Sequence, residues 1–301
     1  MTHSFRTYTT LIDPPQLQEL QQTDTPLMVF DCSFDLTNPA AGEEQYHRAH
    51  IPGAIYAHMD RHLSDEGVVD PDGRRRPQAD AASGGRHPLP SREKFAMWLS
   101  AIGFTNDMQA VVYDRQGANY CGRLWWMLKW MGHEAVAVLD GGLQAWESAG
   151  GALRGGDEPS RFQSNFRVGP EHRRLVTTEQ VLRGLDSRGQ TIIDARARPR
   201  FRGEVEPLDP VAGHIPGALN RPFTENLGPD GRFKEPQALR AEFENLLAGR
   251  DPATVVHHCG SGVSAIPNLL AMEVAGLGPT GLYAGSWSEW CSDPGRPVER
   301  G

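Results

Sequence analysis

The chain repeats itself, and no other feature limits its fold as strongly. His50 Ile51 Pro52 Gly53 Ala54 returns unchanged as His214 Ile215 Pro216 Gly217 Ala218. Asp140 Gly141 Gly142 Leu143 Gln144 Ala145 Trp146 is echoed by Ala284 Gly285 Ser286 Trp287 Ser288 Glu289 Trp290. Two anchors recurring in the same order imply two similar domains in place of one large one. The 301 residues are enough for two cores of about 150 residues each. We expect a first domain over 24–153, a linker over 154–176 and a second domain over 187–300.

Both copies show the same alternation. Apolar, β-rich runs (Leu27 to Phe30, Ala110 to Tyr113, Ala135 to Leu139, then Thr191 to Ile193, Thr254 to His257, Gly281 to Tyr283) are separated by helix-length segments. That pattern predicts an α/β fold, each domain a mainly parallel sheet with helices on both faces. Leu124, Trp125, Leu128 and Met131, and in the other copy Leu269, Leu270 and Met272, stand at helical spacing and read as core. Between its anchors the first copy is the longer one. The surplus, Asp65 to Pro90, is rich in Gly, Pro, Asp and Arg and reads as a surface excursion, a class of loop that often carries function.

Composition narrows the partners. A net charge of −8 and a pI near 5.8 give no general attraction to nucleic acid or anionic lipid, and the basic triplet Arg74 Arg75 Arg76 is isolated. Cys32, Cys121, Cys259 and Cys291 are too few and too scattered for a disulfide framework or a zinc site, which fits a reducing compartment. The segment Met1 to Tyr8 lacks the apolar core of a secretion signal, and no run is long enough to span a bilayer, so a soluble cytoplasmic protein is expected.

Cys259 is the candidate nucleophile. It stands where the strand run ending at His258 meets Gly260 Ser261 Gly262, a turn that opens a helix. Amide N–H groups of such a turn, and the positive end of the helix, favour thiolate over thiol. A thiol of pKa near 8.5 is only ~3% ionised at pH 7, so lowering its pKa to about 6.5 would raise that fraction roughly twenty-five-fold. Gly260 and Gly262 let the backbone curl into an anion cradle able to hold a thiolate or a persulfide. The arginine that closes a phosphate-binding cradle of this kind would stand at Ala265, which argues against phosphate chemistry. His257, His258 and Cys259 are metal-ligand types, but adjacent strand residues face opposite ways, so no metal is expected and no organic cofactor is implied.

Together the repeated His-Ile-Pro-Gly-Ala, the two tryptophan anchors and the run Cys259 Gly260 Ser261 Gly262 Val263 Ser264 Ala265 resemble the tandem rhodanese-type sulfurtransferases over nearly the whole chain. In that family the C-terminal domain is catalytic, which fits Asp114 standing opposite Cys259 in the first copy. The resemblance implies two rhodanese-like domains and sulfur transfer through a Cys259 persulfide. The acceptor would be cyanide, a small thiol or a thioredoxin-like protein thiol.

The residues after the cysteine resemble the branch that uses 3-mercaptopyruvate, because the thiosulfate branch carries cationic side chains where this chain has Gly260 and Ser261. That branch pairs its loop serine with a histidine and an acidic residue, for which His87 and Asp60 are the matching positions. Ser261, His87 and Asp60 are therefore candidates for a proton relay. Arg200 matches the family's substrate arginine, and Gly260, Gly262 and Val263 would complete the donor site. The branch has a second arginine where this chain has Asp209, leaving Arg196 or Arg202 to compensate. Thiosulfate as donor, and a non-catalytic sulfur carrier or scaffold, are the alternatives.

Overall fold

The structure, a computed structural model, describes residues 6–65, 67–69, 75–185, 187 and 189–301. Met1 to Phe5 of the N-terminal segment and Arg74 of the basic triplet lie outside them. The first copy opens with β1 (Leu11–Ile12) and α1 (Pro14–Leu20). Asp13 accepts from the Gln16 N–H (2.8 Å) and the Gln16 side chain accepts from the Asp13 N–H (2.9 Å), a reciprocal pair that starts the helix. Then come β2 (Leu27–Asp31), α2 (Ala41–Arg48) and β3 (Ile55–Tyr56), followed by the excursion with its short antiparallel pair, β4 (Val68–Val69) and β5 (Arg75–Arg76). α3 (Arg92–Ala101), β6 (Gln109–Tyr113), α4 (Cys121–Trp130), β7 (Val136–Leu139) and α5 (Gly142–Ser148) complete this copy.

The second copy runs β8 (Arg174–Leu175), α6 (Thr178–Gly184), β9 (Thr191–Asp194), α7 (Arg198–Phe201), β10 (Leu219–Asn220) and α8 (Pro236–Leu247). It ends with β11 (Val255–His258), α9 (Ile266–Val274), β12 (Gly281–Leu282) and α10 (Ser286–Trp290). Thr177 and Gln180 cap α6 as Asp13 and Gln16 cap α1.

The two sheets are ordered β1-β7-β6-β2-β3 and β8-β12-β11-β9-β10, and every pairing in them is parallel. Strand for strand this is one topology used twice. Parallel neighbours need crossovers, and the helices supply them, covering the faces of an α/β sheet. By internal contacts the chain divides into two compact units. One comprises the described residues of Met1–Leu63, Arg92–His172 and Pro229–Phe233; the other comprises those of Ser64–Ser91, Arg173–Gly228 and Lys234–Gly301. The excursion of the first copy thus belongs to the unit that contains the second sheet. Among the described residues no helix is long and apolar enough to cross a membrane.

The structure explains the repeated pentapeptide. His50 stacks on Tyr46 and donates its N–H to Arg154 O (2.8 Å), while the Gly53 N–H, at φ +81, reaches Glu158 (2.8 Å). His214 stacks on Phe201, its N–H reaches Glu299 O (2.9 Å), and the Gly217 N–H, at φ +72, reaches Glu299 Oε2 (2.9 Å). Both histidines are buried, and in each copy the motif ties a domain's end to its body. The indoles of Trp146 and Trp290 are likewise buried and donate to Ala152 O and Pro297 O.

At the end of β6 the carboxylate of Asp114 is held by four backbone amides. Oδ1 accepts from Gln116 (2.9 Å) and Ala118 (3.0 Å), and Oδ2 from Tyr120 (2.8 Å) and Cys121 (3.0 Å). Asp114→Ala leaves these donors unmet and is expected to destabilise the protein by about 3 kcal/mol in urea unfolding; a loss under about 1 kcal/mol would show that the loop holds its shape without the anion.

Candidate active site

Cys259 follows β11 directly and is 2% exposed. Its N–H donates to Ser286 Oγ (3.1 Å), which itself donates to Tyr283 O (3.0 Å). The Cys259 carbonyl accepts from Trp287 N–H (3.0 Å) and the Gly260 carbonyl from Ser288 N–H (2.9 Å). The start of α10 therefore fixes the backbone at the thiol, which is why the second anchor follows Cys259 in sequence. The loop shares part of its geometry with the Asp114 loop, although Ala118 has a positive φ (+64) that its counterpart Val263 lacks. Gly117 and Gly262 both have positive φ (+68 and +77), and α4 and α9 begin at matching positions, Cys121 and Ile266. The amides of Ser261, Val263, Ala265 and Ile266 match the four that hold the Asp114 carboxylate.

Gly262 is required twice over. Its φ excludes most side chains, and an added Cβ would run into the Ala284 carbonyl. Gly260 is different, since an added Cβ there would meet only the Arg86 and Arg200 guanidinium groups, at 3.4 and 3.5 Å.

The excursion delivers His87 within the same unit. Gly85, at φ +87, lies against the Gly285 carbonyl, and the Arg86 N–H donates to Ser288 Oγ (3.0 Å). So anchored, His87 Nδ1 stands 2.7 Å from Ser261 Oγ, with both residues 7% exposed. Asp60, the third relay candidate, belongs to the other unit, where its N–H donates to His58 Nδ1 (3.1 Å).

The arginines separate by what they hold. Arg196 is buried, forks onto Asp194 (Nε to Oδ2 3.0 Å, Nη2 to Oδ2 2.7 Å), reaches Glu206 (3.3 Å) and Gly213 O (2.7 Å), and lies over Trp287. Burial opposes its charge, but Asp194, Glu206 and the nearby Cys259 sulfur hold the guanidinium more firmly protonated. Its donors are spent inside the protein, so it is a fixed positive charge and not a hand for a ligand. Arg200 is 19% exposed at the side chain and pairs with Glu206 (2.6 Å) and Asp209 (3.3 Å). Burial pushes the Glu206 carboxyl up, yet hydrogen bonds from Arg200 and from the Leu208 and Asp209 amides take it below its ordinary value. Arg202 pairs with Glu204 on the surface.

The sequence reading passed over Arg86, which bonds Asp209 (2.6 Å) and faces Gly260 beside Arg200. Its adjacency to His87 in the excursion was the available signal. His257 and His258 diverge, as strand alternation requires. His257 Nε2 meets Met272 Sδ (3.2 Å), with burial pushing this imidazole's pKa down to about 3, whereas His258 lies near Asp194 (3.6 Å). Among the described residues no group of three or more His, Cys, Asp or Glu could hold a metal ion.

Comparison with known proteins adds a family to this geometry. The family model described as the Rhodanese-like domain matches residues 13–149 and 177–293. The chain belongs to the rhodanese-like domain family. It is 45% identical over 283 residues to a protein of Pseudomonas aeruginosa named "Probable 3-mercaptopyruvate sulfurtransferase", covering 93% of this chain and 94% of that one. It is 34% identical over 270 residues to the thiosulfate sulfurtransferase of Bos taurus, covering 88% and 84%. SseA from Escherichia coli, a solved structure titled for the rhodanese fold and mechanism of 3-mercaptopyruvate sulfotransferases, matches with a TM-score of 0.75 at 30% identity, over 94% of this chain and all of that one.

In this rhodanese the two loop glycines should respond differently to substitution. Gly262→Ala is expected to cost about 2 kcal/mol or more and Gly260→Ala well under half of that, measured by thermal unfolding. Equal costs would mean that the loop does not depend on the positive φ at Gly262.

Proposed function

We propose that this protein transfers sulfur from 3-mercaptopyruvate to a thiophilic acceptor through a persulfide on Cys259. The observation that carries this choice of donor is the 2.7 Å contact of His87 with Ser261, two residues beyond the cysteine, in a loop whose Gly260 and Ser261 are uncharged. Cys259, as thiolate, attacks the donor's sulfur. A sulfur–sulfur bond forms, the carbon–sulfur bond breaks, and its electron pair passes to the methylene carbon as the enolate of pyruvate. That carbon needs a proton. The Ser261 hydroxyl supplies it and is reprotonated through His87, while the new persulfide gives up its own proton and remains an anion.

The four amides that hold the Asp114 carboxylate in the first copy support this reading by analogy, since the Cys259 loop shares the positive φ of its glycine and the start of its helix. Attack on that outer sulfur by cyanide, a small thiol or a thioredoxin-like protein thiol returns the Cys259 thiolate. Ser261 and His87 of the relay lie in one unit, and Asp60 stays its proposed acidic member. Four free cysteines, all buried, suit a reducing compartment, and we place the reaction in the cytoplasm.

Turnover with 3-mercaptopyruvate and with thiosulfate tests the assignment. We expect kcat/KM to favour 3-mercaptopyruvate, with both activities abolished in Cys259→Ser. His87→Ala should lower mercaptopyruvate turnover by roughly 10²–10⁴-fold and thiosulfate turnover far less, because thiosulfate leaves as sulfite and needs no carbon protonated. Equal losses on the two donors would remove the relay. A preference for thiosulfate would reassign the donor, and a Cys259 that never gains a sulfur in intact-mass measurement would leave a carrier or scaffold.

A further inference from the structure

The donor assignment above leaves one question that the arginines address: what holds the carboxylate. We propose that Arg86 binds it together with Arg200, and that Asp209 is the positioning residue that holds both guanidinium groups over Gly260. All three lie in the unit that contains Cys259.

Three observations converge. First, an added Cβ at Gly260 would lie 3.4 Å from Arg86 Nη2 and 3.5 and 3.6 Å from Arg200 Nη1 and Nη2, so both forks face the residue that follows the nucleophile. Second, a single carboxylate, itself 3% exposed, joins them: Asp209 Oδ1 accepts from Arg86 Nη1 (2.6 Å) and Oδ2 from Arg200 Nη2 (3.3 Å). Third, the accessible part of Arg86 is its terminal fork, since Nε is buried and Nη1 is taken by Asp209, which leaves Nη2 toward Gly260. The side chains of Arg86 and Arg200 remain reachable, at 29% and 19% exposure, whereas that of Arg196 is sealed at 2%.

The charge count points to the kind of anion. Arg86, Arg196 and Arg200 are balanced by Asp194, Glu206 and Asp209 in one chain of ion pairs. A balanced cluster offers planar forks without a large positive field. That suits a singly charged carboxylate better than a dianion. In a three-carbon keto acid the carboxylate is separated from the sulfur-bearing methylene by only the carbonyl carbon, so a grip beside Gly260 keeps the sulfur beside Cys259. The same short segment then carries the carboxylate grip, Arg86, and the proton relay, His87.

Arg86→Ala and Arg86→Lys test this on two donors. One is 3-mercaptopyruvate with cyanide as acceptor. The other is sodium tetrasulfide, which has sulfane sulfur and no carboxylate, with loading of Cys259 followed by intact mass. Arg86→Ala should raise KM for 3-mercaptopyruvate roughly ten- to hundred-fold, with kcat held within about three-fold and tetrasulfide loading unchanged. Arg86→Lys should recover only part of the loss, since an ammonium cannot fork. A KM within about two-fold of the unsubstituted protein would overturn the proposal, and so would a parallel loss of tetrasulfide loading, which would mark Arg86 as a prop for the loop. If the unsubstituted protein loads from tetrasulfide but ignores 3-mercaptopyruvate, the donor assignment fails and takes this proposal with it.

Discussion

A parallel strand that ends in a tight loop before a helix leaves a set of amide N–H groups converging on one point, and something there must accept from them. In the first copy the acceptor is the Asp114 carboxylate, which takes four such bonds. In the second copy the same position belongs to Cys259, whose short side chain is no such acceptor by itself. The fold thus places a carboxylate at this loop in one domain and a thiol at the matching position in the other. The shared positive φ of Gly117 and Gly262 and the matched starts of α4 and α9 express that single constraint.

Around the thiol, charge is buried and compensated. Asp194, Arg196, Glu206, Arg200, Asp209 and Arg86 alternate in sign along one path. Buried ion pairs are weak sources of stability, because desolvation offsets much of their attraction, but each partner restricts where the next can point. Here that restriction orients two reachable guanidinium groups toward Gly260, while Arg196, locked by Asp194, contributes a fixed field near the sulfur.

The central strands were legible because buried parallel strands are continuous apolar runs, and β2, β6, β9 and β11 read that way. The edge strands β1, β3, β8 and β10 were not: each is two residues long, too short for any periodicity. Cys259, Ser261 and His87 stand out in the sequence as candidates by residue type and motif, and the structure brings His87 to Ser261. Nothing in Asp194 Ala195 Arg196 reveals that the aspartate two residues earlier turns back to take Nε and Nη2 of the guanidinium, with Glu206 taking Nη1. Arg86 was missed because its partner, Asp209, is remote in sequence and stood out only as a departure from a family pattern.

By itself the sequence determined that the chain folds as two α/β copies, since strand and helix patterns are local properties and a repeated motif needs no coordinates to be seen. It also determined which copy carries a thiol after its central strand, because cysteine and aspartate differ in kind at one aligned position. Only the tertiary structure decided which unit claims the excursion, which arginine is spent on an internal carboxylate and which still faces the cysteine loop. Those outcomes rest on contacts between residues far apart in the chain, made by glycine-permitted close approach at Gly85 and by shared carboxylates such as Asp209.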